Sequence, residues 1–218
     1  MLQGAGSDLL ARELAVAVRS PTYLGFKRVL DLALAVAILP IVALLVLVLA
    51  IAIKLDSPGP IFFSQLRTGV HGRRFRMWKL RTMIRDAERR KLEIMHLNNL
   101  RPPDFKIVDD PRITRVGRFL RGTHLDELPQ VANVILGEMA FVGPRPTSFA
   151  ATTYDLWQTK RLEVRPGITG LWQITSPKGS LFDERLRLDI RYIDQMSLLL
   201  DVKILALTVV AAARGTGV

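Results

Sequence analysis

A chain of 218 residues can bury the core of one ordinary domain and carry an appendage, but it is too short for two full domains and a linker. With no cysteine, disulfides and thiolate metal centres are excluded, and the three histidines, His71, His96 and His124, lack zinc-ligand spacing. A net charge of +11 points to an anionic partner: nucleic acid, an acidic membrane face or a phosphorylated substrate.

The first predicted element is apolar. From Val29 to Leu55 runs "VLDLALAVAILPIVALLVLVLAIAIKL", with Asp31 and Lys54 as its only charges. The uncharged stretch from Leu32 to Ile53 makes roughly 33 Å of helix, enough for a hydrocarbon layer of roughly 30 Å. A cleavable signal peptide is a poor fit, because the apolar run is too long and no small-residue cleavage site precedes a polar chain. Cationic residues flank both ends, and the positive-inside tendency places both in the cytoplasm. Pro40 removes a backbone donor near the middle and frees the Val36 carbonyl. Two geometries stay open on these residues: a spanning helix, or a hairpin that enters one leaflet and returns.

"DSPGP" at 56–60 stops the helix. Two short strands follow, Ile61 to Arg67 and Arg74 to Lys79, around a turn at Gly69 to Gly72. Helical spacing predicts a charged, exposed helix over 84–98, and three prolines make the next stretch a loop. Leu125, Leu128, Val131, Ala132, Ile135 and Leu136 share one helical face, so a helix is expected to start at or near the acidic pair Asp126–Glu127. After "FVGPRPTSF", a Gly- and Pro-rich loop holds a strand-like core, Leu171 to Thr175. Helices are predicted over Asp183 to Met196 and over 197–213, the second buried or interfacial because it is short and carries Asp201 and Lys203.

The charge is concentrated. Residues 64–122 hold 16 Lys or Arg against 6 Asp or Glu, while the rest of the chain holds 15 against 14. The acidic pair sits just past the end of that segment, and it has two readings. One is helix capping, Thr123 and Asp126 resembling a capping box. The other is catalysis on a phosphate: a carboxylate ringed by Arg112, Arg115, Arg118 and Arg121 is an anion able to attack phosphorus. Forked arginine donors suit diphosphate, and prolines on both sides of Arg145 in "GPRP" restrict its backbone. The glycines of "PGITG" permit close approach of the backbone to a ligand.

Six blocks, "FKRVLDL", "KLDSPGPIFFSQLRTG", "FRMWKLRTM", "DPRITRVGRFLRGTHLDELPQVANVILGEMAFVGPRP", "RPGITGLWQ" and "LDIRYI…SLLLDVKILALT", together resemble the bacterial sugar transferase family, the monotopic phosphoglycosyl transferases acting on polyprenol phosphate. The resemblance runs from Phe26 to about Thr208 and is most specific in the long middle block. It implies an N-terminal segment at 1–25, a re-entrant membrane helix at 26–55 and a catalytic domain at 56–218 on the cytoplasmic face of the bacterial membrane. The implied fold is a mixed, mainly helical α/β class with interfacial amphipathic helices.

The implied chemistry is transfer of a phosphosugar from a UDP-sugar to undecaprenyl phosphate with Mg²⁺, releasing UMP. Asp126 would be the nucleophile, Glu127 would handle metal or proton, and both would be metal ligands. Arg121 and Arg145 would hold phosphate, and Arg112, Arg115, Lys79, Arg81, Gly167, Thr169 and Gly170 complete the expected substrate-binding set. Expected partners are the two substrates and inner-membrane lipid; a homodimer is compatible and nucleic acid is not expected. Three departures stand out. Leu39-Pro40 replaces the usual Ser-Pro about a turn early, "ITSPKGS" replaces Gly-Arg so that Lys178 is the nearest cation, and His124 replaces Ser. Two rival readings are a membrane-anchored basic module that binds nucleic acid or anionic lipid, and a silent scaffold for glycosyltransferases.

Overall fold

The computed structural model describes residues 21–98, 107, 109–175 and 180–213; the expectations for Lys178 and for most of the 1–25 segment lie outside them. The first element is one helix, α1, Pro21–Asp56, running through Pro40 and starting five residues before the predicted boundary. Its uniform apolarity hides a directional pattern. Leu24, Lys27, Asp31, Ala35, Ile38, Val42, Val46, Leu49 and Ile53 recur every three or four residues and turn one stripe inward along the whole helix. The other faces expose Val29, Ile41, Leu44, Ile51 and Leu55, a sleeve too continuous for an aqueous surface.

Both ends of α1 are stitched to the domain by helix capping. At its start, the Arg28 guanidinium donates to the carbonyls of Val134 (2.5 Å) and Ile135 (3.0 Å), the last turn of helix α3, Gln130–Leu136. At its finish, Arg81 donates to the carbonyls of Ile53 (3.2 Å), Ser57 (2.6 Å) and Pro58 (2.7 Å), satisfying acceptors that a helix terminus leaves open. Asp56 in turn accepts from the Val116 amide (3.1 Å) in the first turn of helix α2, Arg115–Thr123. Buried polar contacts tie the same helix to the rear of the domain. Lys27 meets Asp201 at 2.6 Å, Asp201 accepts from the Tyr192 hydroxyl at 2.7 Å, and Asp31 accepts from the Phe141 amide.

The predicted hairpin is present as β1, Phe62–Thr68, and β2, Arg74–Leu80, antiparallel with Phe63 opposite Lys79 and Gln65 opposite Met77. A second pair, β3, Ala140–Val142, and β4, Gly167–Thr169, is parallel. Asn133 locks α3 onto the hairpin. Fully buried, it donates to the Arg76 carbonyl and accepts from the Trp78 amide, so the helix after the acidic pair is fixed against the strand that carries Lys79.

Three sequence expectations are corrected. Residues 84–98 form turns and two short 3-10 segments, Arg89–Lys91 and Met95–Leu97, in place of a helix: Ala87 is buried but Leu92, Met95 and Leu97 stay exposed, so the apolar spacing finds no surface to pack on. Leu171–Thr175 is a short helix, α4, and the strand is the Gly167–Thr169 segment just before it. The acidic pair lies in a 3-10 turn, Leu125–Glu127, while the α-helix begins at Gln130. Helix α5, Phe182–Gln195, and helix α6, Leu198–Ala213, agree with the sequence reading. On α6 Asp201 and Ile204 face inward while Leu199, Val202 and Val209 are exposed.

Candidate active site

The acidic pair is built by the collision of two helices. Thr114 caps α2, its hydroxyl oxygen accepting from the Gly117 amide at 3.0 Å, and Thr123, expected as a cap, instead bonds back to the Phe119 carbonyl from the last turn. His124 then takes a left-handed conformation (φ 57°) that ends α2 and opens the 3-10 turn. His124, the departure from the family's usual Ser, therefore makes the corner behind the pair. Neighbours in a 3-10 turn diverge by roughly 120°. Asp126 and Glu127 accordingly diverge, each only 7% exposed: both reach Lys79, and Glu127 alone reaches Arg145.

Glu127 is saturated. Its Oε1 accepts from Lys79 Nζ (2.7 Å) and Arg145 Nη2 (2.5 Å), and its Oε2 from Arg145 Nη1 (3.3 Å), a forked pair. Burial alone would raise the Glu127 carboxyl, but Arg145 and then Lys79 outweigh it and hold it below the usual carboxylate range. Asp126 has a looser partner, Lys79 at 3.4 Å. One lysine thus touches both acids, and the pair divides into a clamped carboxylate and a more available one.

Both acids open onto a cleft of about 670 Å³, the volume of a sizeable small-molecule site. Eight Lys or Arg line it against four Asp or Glu, so its field favours an anion. The structure sorts the expected binding residues into two groups. Lys79, Arg121 and Arg145 border the cleft with the acidic pair, Arg121 placed by a bond from Nε to Thr82 Oγ1 (2.9 Å). Arg81 and Arg112 border it too, but their terminal guanidinium nitrogens are engaged with protein partners. Arg81 closes the end of α1, and Arg112 forks onto Asp110 (2.9 and 2.7 Å) and reaches the Ala87 carbonyl. Arg118, one turn before Arg121, lines the cleft; Arg115 is exposed and does not.

Gly167, Thr169 and Gly170 also lie outside the cleft lining. Their small size serves another approach: a Cβ on Gly167 or Gly170 would run into the Gly143 backbone, so these glycines let β3 and β4 close on each other. Gly143 N–H donates to the Thr169 carbonyl (3.0 Å) and Gly167 N–H to the Pro144 carbonyl (2.9 Å), which fixes the "GPRP" turn from below.

Two further residues support the site, and neither stood out in the sequence. Arg161, 5% exposed, donates from Nη2 to the Arg145 carbonyl (2.5 Å) and to Asp189 Oδ2 (2.6 Å). Asp189 belongs to α5 and is 1% exposed; burial pushes it up to about 7 against the pull of Arg161. Both are positioning residues for Arg145. They occupy positions 16 and 44 residues away with no motif around them, and only long-range packing could have shown their role.

Comparison with known proteins gives a consistent result. The family model described as "Bacterial sugar transferase" matches residues 22–215. The "Galactosyl transferase CpsE" of Streptococcus agalactiae is 46% identical over 73% of this chain, and the "Uncharacterized sugar transferase EpsL" of Bacillus subtilis 37% over 84%. The "UDP-glucose:undecaprenyl-phosphate glucose-1-phosphate transferase" of Escherichia coli is 38% identical over 84% of the chain. The matched region spans 36% of the streptococcal protein and 39% of the E. coli protein, but 85% of the Bacillus one.

Proposed function

The chain belongs to the bacterial sugar transferase family, and on that premise we propose that it moves a phosphosugar from a UDP-sugar to undecaprenyl phosphate at the cytoplasmic face of the bacterial membrane. The product starts a polysaccharide or glycoconjugate. The observation that carries this reading is the pairing of a clamped Glu127 with a looser Asp126 at the wall of a cation-rich cleft.

The reaction runs in two displacements. An Asp126 carboxylate oxygen bonds to the β-phosphorus as the bond from that phosphorus to the bridging oxygen breaks, and UMP leaves with the electron pair. A phosphate oxygen of the lipid then attacks the same phosphorus and displaces Asp126, which yields a diphosphate-linked lipid sugar. Lys79, Arg121 and Arg145 hold the phosphate oxygens throughout. Of the two expected Mg²⁺ ligands, Asp126, with diphosphate oxygens and water, fits a site of one carboxylate beside substrate phosphates, whereas Glu127 would join it only by releasing an oxygen from Lys79 or Arg145; among the described residues there is no cluster of three or more candidate ligands. When bound, the ion supplies charge neutralisation and orientation of the diphosphate.

Membrane geometry supports the same reading. A helix of 36 residues is roughly 54 Å long, yet Arg28 near its start and Asp56 at its end both bond to elements of one domain. We propose that α1 bends at Pro40 within one leaflet, which would keep both Arg28 and Asp56 on the side of the domain that they contact.

The test is the Asp126→Asn variant in membranes, with UMP release from UDP-sugar and polyprenyl phosphate as the readout. Turnover is expected to vanish while membrane association persists, and a sugar phosphate should be recoverable on wild-type Asp126 when acceptor is withheld. Near-normal UMP release by the variant would remove Asp126 from the chemistry.

A further inference from the structure

Within the cleft, one wall does not match its charged surroundings. Phe63 lies directly opposite Lys79 across the hairpin, so the two side chains share a face and their Cβ atoms are neighbours at roughly 5 Å. That face carries Met77 and Phe75 into the core, but Phe63 stays 39% exposed and lines the cleft, with Phe62 and Pro60 beside it. A large aromatic half in water next to an ammonium and two carboxylates contributes little to folding. Its surroundings suit a ligand that is anionic at one end and apolar at the other.

The direction of that apolar end follows from the chain. Pro60 is four residues beyond the last residue of α1, and Arg81, immediately after β2, bonds through its side chain to the carbonyls of Ile53, Ser57 and Pro58 while its amide reaches Ile61. The start of β1 is therefore pinned to the exit of the membrane helix, where Leu55 is among the most exposed apolar residues. Lys79, Phe63, Phe62 and Pro60 line one cleft with the acidic pair, and the Pro58 and Ser57 contacts of Arg81 tie that cleft to the end of α1.

We propose that Phe63, flanked by Phe62 and Pro60, is the acceptor subsite: the phosphate-proximal isoprene units of a polyprenyl phosphate lie on this wall while the phosphate meets Lys79 and Asp126. The proposal rests on the transferase reading and adds where the second substrate binds. Branched, unsaturated isoprene units match aromatic faces in both shape and polarity. The nucleotide of the donor is thereby assigned to the opposite, arginine-lined side of the cleft.

The experiment uses the full chain in detergent, and binding is measured by calorimetry with three probes: farnesyl phosphate, phosphatidic acid and inorganic phosphate. Phe63→Ala should weaken farnesyl phosphate about tenfold, the equivalent of losing one partly buried aromatic contact, and leave inorganic phosphate unaffected. Phe63→Leu should retain most of the affinity, and unchanged thermal melting of both variants excludes misfolding. Equal loss for phosphatidic acid would make the wall a general lipid contact and overturn the assignment to polyprenyl chains. Parallel kinetics separate the two substrates: a raised KM for acceptor is expected, whereas an equal rise in KM for UDP-sugar would place Phe63 against the nucleotide. Because binding is read without turnover, an inactive wild type with intact farnesyl phosphate binding would count against the transferase reading and not against the subsite.

Discussion

At the scale of single residues, the site depends on how three cationic groups share two acids and a carbonyl. Glu127 remains ionised because Arg145 and Lys79 overcome the effect of burial. A folded value lowered in this way stabilises the fold above the ordinary glutamate value of about 4.3, and that stabilisation is lost as pH falls through the lowered value. Glu127→Gln should therefore lower thermal stability at pH 7 by about 2 kcal/mol, since it leaves Lys79 and Arg145 facing each other. The gap to wild type should narrow below about pH 4; parallel pH–melting curves would contradict this. Arg161 acts through Arg145, so the two should not be independent. Arg145→Ala and Arg161→Ala are each expected to lower kcat/KM for UDP-sugar, with the double variant little worse than Arg145→Ala alone. Multiplicative losses would show that Arg161 works elsewhere. The acids and the proline-flanked arginine stood out because they fall in short, chemically loaded stretches, whereas Lys79 entered only through the family resemblance. Arg161 and Asp189 were not, since a buried ion pair under a loop leaves no local pattern.

At the scale of elements, legibility tracked apolar periodicity. The long helix and the hairpin were clear from their patterns alone. Helix α2 went unpredicted because arginines and glycines interrupt "RVGRFLRG", although Thr114 at its start was a usable cap signal. "LWQIT" suggested a strand by its aromatic and β-branched residues, and tertiary packing overrode that preference. Gly117 shows how tightly these pieces meet. A Cβ there would strike the Thr82 backbone, whose carbonyl accepts from the Thr114 amide (3.1 Å). Gly117→Ala should cost about 2–3 kcal/mol by forcing α2 off the end of β2. It should also impair donor binding, because Thr82 holds Arg121; a variant with normal melting and normal KM would refute that link.

For the whole molecule, the decisive relation is between α1 and everything packed on it. Its inward stripe, with residues every three or four positions, was invisible in a segment apolar on all sides; only Lys27, Asp31 and the flanking arginines hinted that it had a preferred face. Single cysteines at Thr22 and Lys54, both exposed and both in a chain without native cysteine, should react with a membrane-impermeant thiol reagent from the same side of sealed vesicles. Labelling from opposite sides would establish a crossing helix. The stitching described for α1 also bears on how the protein could be handled. Deleting the first 56 residues would strip Arg28 from the end of α3 and Asp56 from the start of α2, the two helices that bracket the acidic turn. No water-soluble catalytic fragment should be obtainable by trimming the greasy segment, and solubilising it will require recoating its outer faces with polar side chains while the inner stripe is kept.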